Sequence, residues 1–234
     1  MKILVTGGGS EEPIDNVRAV CNFSTGRTSA FLADYFAGQG HEVCEIVSER
    51  AVKAEKVRLL TYKTYAQLAA CLENECRTGS YDLIVHAAAV SDYSPYELVV
   101  DGKTYACGEV SKVPAGAELL VKMKKNPKLV DSLKLWSGDK TCVFAFKLTS
   151  NAGPEDRKLA VEKILSSHQN KNLVPDFVVS NDLSEIKGDL HKFKILNRSL
   201  EVAKEGKSLS GLAQAILELA GCQELAGDLH DTNS

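Results

Sequence analysis

The sequence predicts an α/β fold, a mostly parallel sheet with helices on both faces, and three observations predict it. Short apolar runs of strand length alternate with stretches of helical periodicity along most of the 234 residues, the pattern that helical crossovers between parallel strands produce. The first run, Ile3-Leu4-Val5, breaks directly into Gly7-Gly8-Gly9-Ser10, a strand-to-turn junction with little side-chain bulk. No composition break divides the chain, which is long enough to bury an ordinary core as one domain, residues 1–222.

Strands are expected near 2–6, 42–47, 57–61, 82–88, 118–123, 141–147, 176–180 and 192–196. Helices fit between them. Positions 28–37 place Phe31, Leu32, Tyr35 and Phe36 on one stripe, and Tyr65 to Glu75 does the same with Leu68, Ala69 and Leu72. A third helix should start at Asn126-Pro127, an N-cap residue followed by proline at the first helical position, and run to about Trp136. Helices near 154–167 and 208–220 complete the set. Two regions depart from the alternation. From Tyr93 to Ala117 the chain makes a long excursion with turn residues at Asp101-Gly102 and Pro114-Ala115-Gly116, expected as short antiparallel strands extending from the main sheet. Asp176 to Lys194 reads as a hairpin of antiparallel edge strands turning at Lys187-Gly188-Asp189, and residues 223–234 read as a frayed tail.

Net charge is −3 and the pI is near 6.0, so there is no global basic field of the kind nucleic-acid binding needs. The longest apolar stretches, such as Leu83 to Val90, are too short to span a bilayer, and the N-terminus has no leader pattern. A cytoplasmic protein is expected. Seven scattered cysteines without a CxxC pair suggest neither a disulfide framework nor a zinc site.

The chemistry concentrates in a few segments. Gly7-Gly8-Gly9-Ser10 and Asn22-Phe23-Ser24-Thr25-Gly26 form two candidate anion-cradling turns, the second leading into a helix. Taken in order with Glu12-Pro13-Ile14-Asp15 and Val17-Arg18, they resemble the N-terminal segment of the phosphopantothenoylcysteine synthetase family, ligases that join 4'-phosphopantothenate to cysteine. The strand ending in His86-Ala87-Ala88-Ala89-Val90-Ser91-Asp92-Tyr93 offers three small residues against which a ring or ribose could lie, and an acceptor, Asp92. Its Ala-Ala-Val-Ser-Asp-Tyr string is similar to the second motif of that family. Ser111-Lys112-Val113 with Glu118 to Met123 resembles the family's lysine-bearing hairpin; a rigid count through longer hairpins would put the lysine position at Glu109, whereas a shorter turn puts it at Lys112.

The resemblance implies a Rossmann-like fold and a two-step ligation through an acyl-nucleotidylate. Asn22 and Lys112 are its catalytic residues, Asn22 at the acyl carbonyl and Lys112 at the phosphate. Nucleotide contacts are implied for Gly7, Gly8, Gly9, Ser10, Arg18, Ser24, Ala87, Ala88, Ala89, Asp92, Pro127, Lys128, Leu129, Val130, Phe146, Lys163 and Lys171, and substrate contacts for Ser24, Thr25, Gly26 and Asn181. CTP is expected ahead of ATP, together with Mg2+ for which no ligands are assigned. A homodimer is expected, with the excursion helping to close the neighbour's site, as is a separate decarboxylase polypeptide acting next in the pathway. Two other readings stay open. A Rossmann-type NAD(P) oxidoreductase lacks support from a third glycine or a Y-x-x-x-K pair, and a non-catalytic nucleotide-binding protein would need no catalytic lysine.

Overall fold

The computed structural model describes residues 1–231 except Glu109, Val110 and Asp189, and no side chain of Lys171 or of residues 223–231. In chain order the elements are β1 (Lys2–Gly7), β2 (Glu11–Pro13), β3 (Ala19–Cys21), α1 (Arg27–Gly38), β4 (Glu42–Ser48), β5 (Arg58–Tyr62), α2 (Tyr65–Thr78), β6 (Leu83–His86), β7 (Tyr93–Val100), β8 (Lys103–Ala106), β9 (Leu119–Lys125), α3 (Leu133–Ser137), β10 (Cys142–Thr149), α4 (Pro154–Leu165), β11 (Phe177–Asp182), β12 (Ile186–Lys187), β13 (Leu190–His191), β14 (Phe193–Asn197), β15 (Val202–Gly206) and α5 (Leu209–Asp231).

Eight strands form the central sheet in the order β15-β14-β11-β10-β6-β1-β4-β5. From β5 to β11 all neighbours are parallel, and β14 and β15 add an antiparallel edge. Because β1 pairs β4 on one side and β6 on the other, the chain reverses its direction of travel across the sheet at β1, and a crevice opens there at the carboxyl ends. Side chains alternate between two cores. Val5, Val85, Phe144 and Val179 pack with Leu32 and Phe36 of α1 and Leu212 and Ile216 of α5. Leu4, Ile84 and Val143 pack on the other face with Leu68 and Leu72 of α2 and Leu133 of α3, while Val161 and Leu165 of α4 cover Val178 and Leu196. Burying each such side chain stabilises the fold by roughly 1.5–3 kcal/mol.

The α/β expectation holds, with four differences in detail. The helix expected from Asn126 is a 3-10 turn, Leu129–Ser132, followed by the five-residue α3. Asn126 does not cap it: its Oδ1 accepts from Ser94 Oγ at 3.1 Å, and its Nδ2 donates to the Ser91 carbonyl at 3.0 Å and to Ser94 Oγ at 2.8 Å. The excursion and the strand expected at 118–123 do not extend the main sheet: β8-β7-β9 form a sheet of their own, closed over Leu98, Val100 and Val113. The hairpin expected from Asp176 is present, since β11 pairs antiparallel with β14, but the chain between them folds into a small β12–β13 ribbon, β15 forms the outer edge, and Asp189 of the turn lies outside the described residues. Finally, α5 runs from Leu209 to Asp231, past the end near 220 that apolar spacing suggested.

Candidate active site

At the carboxyl ends of β1, β6, β10 and β11 lies a cavity of about 1190 Å³. Four of its walls come from segments singled out in the sequence: Asn22 to Gly26, Ala87 to Asp92, Pro127 to Val130, and Phe146 with Asn181. Lys163 on α4 completes the set.

The glycine run permits close packing at the end of β1. A Cβ on Gly7 would collide with the Ser29 side chain of α1, and one on Gly9 with the main-chain carbonyl of Asn22. These glycines therefore allow α1 and the Asn22 segment to sit tightly on the end of β1, and only Gly8 reaches the cavity wall. Ser10 is buried and its Oγ accepts from the Ser91 N–H at 3.0 Å, tying the loop after β1 to the loop after β6. Arg18 also stays off the cavity lining. Its guanidinium pairs with Asp15 at 2.6 Å and donates to the Val113 carbonyl. Asp15 in turn accepts from the N–H groups of Val113, Val17 and Arg18, and these bonds, the Val113 one largest, hold its carboxyl well below the usual range. The hairpin β2–β3 is thus stapled to the segment after β8.

Asn22 reaches the cavity with its amide already oriented, one N–H donating to the Val90 carbonyl at 3.0 Å. It caps no helix. The residue at the N-cap of α1 is Gly26, at φ 73°, and neither a side-chain cap nor a first-turn acid competes there. The first N–H groups of α1 consequently face the cavity with the positive end of the helix dipole, a ready anion site beside Ser24 and Thr25. Across the cavity, the N–H groups of Ala87, Ala88 and Ala89 are spent on Thr6 and Gly8, so this wall offers a small, flat surface and few free donors. Asp92 is paired with Lys128 while both remain about half exposed, so either can be turned toward a ligand. Tyr65 holds the Pro127 carbonyl at 2.9 Å and fixes the neighbouring turn.

Five of the implied residues, Gly7, Gly9, Ser10, Arg18 and Lys112, are not among those that line the cavity. Lys112 sits exposed in the loop leading to β9 and does not line it. Lys171 begins a short 3-10 turn, Lys171–Leu173, and Glu109 lies outside the described residues. Sequence reasoning gave no role to His86, Lys147 and His191, all of which line the cavity. His86 Nδ1 is 2.8 Å from Thr6 Oγ1, and burial pushes its pKa down to about 4, so it is a neutral imidazole at pH 7. The only signal for it was its position at the end of a central strand. Asp182, next to Asn181, was also unassigned: it accepts from Ser184 and Thr149 side chains and from Asn151 and Ala152 N–H groups, anchoring the loop into α4, and these bonds, the Ser184 one first, lower its pKa.

Residues 1–220 match the model of the DNA/pantothenate metabolism flavoprotein C-terminal domain. The chain is 26% identical over 222 residues to the coenzyme A biosynthesis bifunctional protein CoaBC of Methanocaldococcus jannaschii, covering 93% of this chain and 49% of that protein. The CoaBC protein of Thermococcus kodakarensis is 26% identical over 198 residues, 84% of this chain and 45% of that protein. The chain therefore spans about half the length of these curated relatives. Among solved structures, the DNA/pantothenate metabolism flavoprotein of Streptococcus pneumoniae superposes with a TM-score of 0.82 at 25% identity, covering 95% of this chain and 99% of that one. A Cab2 variant in complex with phosphopantothenate-cysteine shares the fold, with a TM-score of 0.76 at 17% identity over 97% of this chain and 88% of that one.

Proposed function

The chain belongs to the DNA/pantothenate metabolism flavoprotein C-terminal domain family, and from that membership we propose that it joins 4'-phosphopantothenate to cysteine in coenzyme A biosynthesis. The observation that carries the reading is the convergence of Asn22, Ala87 to Asp92, Pro127 to Val130, Lys163 and Asn181 on one cavity at the switch point of the sheet. A carboxylate is a poor electrophile. In the first step its oxygen attacks the α-phosphorus of a nucleoside triphosphate and pyrophosphate leaves; in the second the cysteine nitrogen attacks the acyl carbon, the nucleoside monophosphate leaves and the amine gives up a proton. Both steps need positioning and charge stabilisation more than a nucleophile in the protein. The free N–H of Asn22 is suited to the acyl carbonyl, and the α1 terminus with Lys163 and Lys147 to phosphate charge.

CTP is the nucleotide we favour over ATP, on the family resemblance. Magnesium is proposed only as the ion that travels with the triphosphate. Among the described residues no three His, Cys, Asp or Glu side chains converge on a metal position, and magnesium commonly takes substrate phosphates and water as ligands. No step is derived through it. A cytoplasmic setting is proposed on the same family grounds.

A two-fold dimer accounts for Lys112. The β8-β7-β9 sheet exposes Tyr96 and Leu120, and Phe23 at the cavity rim is 96% exposed, apolar surface that a second copy would cover. We propose that the excursion carries Lys112 into the neighbour's cavity. Lys112→Ala should then slow pyrophosphate release about tenfold or more, and mixing it with an Asn22→Asp chain should restore part of the activity; no recovery on mixing would reject the shared site. Glu109→Ala should leave the rate near normal.

Cysteine-dependent turnover tests the whole reading. With CTP and 4'-phosphopantothenate alone, pyrophosphate release should stop near one equivalent per site, and cysteine should make it continuous. Nucleotide binding without pyrophosphate release would leave a non-catalytic binding protein, and hydride transfer with NAD(P) would favour the oxidoreductase.

A further inference from the structure

Thr6 on β1 and His86 on β6 stand opposite one another in the parallel register of the central sheet, and their side chains meet, Thr6 Oγ1 lying 2.8 Å from His86 Nδ1. Thr6 is fully buried. Its oxygen already accepts from the Ala88 N–H at 3.3 Å, and among the described residues the imidazole is the one acceptor within reach of its proton. Were Nδ1 protonated, that buried O–H would have no partner, a cost that native structures avoid. Thr6 therefore donates, Nδ1 accepts, and the ring proton resides on Nε2.

The far nitrogen is left for something outside the protein. Nε2 bonds to no described residue, yet it is not among the buried atoms that are sealed from solvent without a partner. His86 is 7% exposed and lines the cavity, so its accessible edge opens there. Burial keeps the ring neutral at pH 7, which makes Nε2–H an uncharged donor.

Its surroundings say what that donor can meet. Strand alternation puts His86 on the Ile84 side of the sheet, with Leu129 and Val130. Lys147 shares that side, two residues beyond Ala145, which is the β10 partner of His86. Ala87 to Ala89 adjoin it as a flat wall, while the α1 terminus belongs to the opposite side, where Leu32 and Phe36 pack with Val5 and Val85. A flat wall, apolar neighbours, one cation and one neutral donor match the ring, the sugar and the phosphate charge of a nucleotide. The pantothenate substrate has no ring to lay against the alanines.

Given the ligase reading above, we propose that His86, held as the Nε2–H tautomer by Thr6, donates a hydrogen bond to a ribose or phosphate oxygen of the bound nucleoside triphosphate. Thr6 is a positioning residue in this arrangement and touches no ligand.

Long-range proton–nitrogen correlation spectra of the histidine rings test this on the full chain, with the His86→Gln protein identifying the His86 signal among the five histidines. In wild type that signal should show the Nε2–H tautomer from about pH 5.5 to 8 without titrating, and saturating CTP should shift Nε2 while 4'-phosphopantothenate leaves it in place. His86→Phe should bind CTP about tenfold more weakly and 4'-phosphopantothenate within about twofold of wild type; His86→Gln, whose amide nitrogen still donates near the Nε2 position, should recover most of the loss. The 2',3'-dideoxy analogue of CTP locates the acceptor: a loss that disappears with it belongs to a ribose hydroxyl, and one that persists belongs to a phosphate. Thr6→Val should mix the two tautomers, and Thr6→Ser should not. An Nδ1–H tautomer in wild type would overturn the proposal, as would ring nitrogens that CTP leaves unmoved or equal CTP binding by the His86→Phe and His86→Gln proteins. The wild-type spectra decide the matter even where the phenylalanine variant does not fold. Wild type that binds neither CTP nor ATP would instead overturn the ligase reading, and the proposal with it.

Discussion

At the amino end of the central sheet, Lys134 meets Asp176 at 2.7 Å, Arg198 meets the same carboxylate at 2.8 Å, and the Val143 N–H donates to it at 2.8 Å. Nearby, Arg58 pairs with Glu75, and the Tyr81 hydroxyl donates to Glu75 at 2.5 Å; burial raises the Glu75 pKa, but the Arg58 and Tyr81 bonds outweigh it and the net shift is downward. At the carboxyl end the same kinds of residue are left open. Asp92 and Lys128 pair in solvent, Asn181 keeps a bare oxygen, and the N–H groups of α1 have no cap. Charges that satisfy one another lock elements together, whereas polar groups with unused valences are what a ligand can complete. Stability and chemistry are thus assigned to opposite ends of the same strands.

The largest effect that could break this contrast is Lys134→Met. It should leave the buried Asp176 carboxylate with Arg198 as its remaining cationic partner and destabilise the fold by up to about 3–5 kcal/mol, while ligase turnover at low temperature stays near normal. Denaturant unfolding read beside an activity assay checks it, and a turnover loss in protein that is still folded would erase the distinction. Asn22→Asp should do the reverse, costing about 2.7–4 kcal/mol in the second half-reaction with the melting temperature nearly unchanged. The acyl-nucleotidylate should accumulate in a quench experiment; equal, normal rates for both half-reactions would remove Asn22 from the chemistry.

Gly9→Ala sharpens the comparison because it joins packing to chemistry. The new methyl group meets the Asn22 carbonyl, so the segment must shift, and a displacement of about 1 Å can cost roughly 100-fold in rate. Turnover unchanged from wild type would show that Asn22 tolerates such a shift. The smallest expected effect is at Glu45, buried midway along β4, where desolvation raises the pKa above its ordinary 4.5. A carboxyl with a raised folded-state pKa contributes stability below its unfolded pKa and loses it as pH rises through the folded value. Glu45→Gln should therefore gain in melting temperature relative to wild type as pH rises from 4.5 upward, and a difference that stays flat or narrows contradicts a neutral buried carboxyl.

Much of the fold was legible in neighbouring residues. Strand positions at β1, β4, β5, β6, β10 and β14 and the helices α1, α2 and α4 follow from apolar spacing, because burial of one face imposes a period that the chain carries locally. The cavity walls Asn22 to Gly26, Ala87 to Asp92 and Pro127 to Val130 were legible as short motifs, since their turns and small residues are chosen for backbone reasons. The glycine run shows the limit of that approach: its residues were visible, but their function as contact points for Ser29 and the Asn22 carbonyl depends on segments some 13 to 22 residues away.

What the sequence by itself determined is the alternating α/β plan, the carboxyl-end location of the site and most of its lining. Only the tertiary structure decided that Asn126 spends its amide on Ser91 and Ser94 and not on a helix, that Arg18 serves Asp15, that Lys112 stands outside its own cavity, and that the Asn181 amide meets the His191 ring. Each of these is a competition for one hydrogen-bonding group among partners distant in sequence. Such competitions are settled by which partner the packed sheet brings within about 3 Å, a distance that no local pattern of residues encodes.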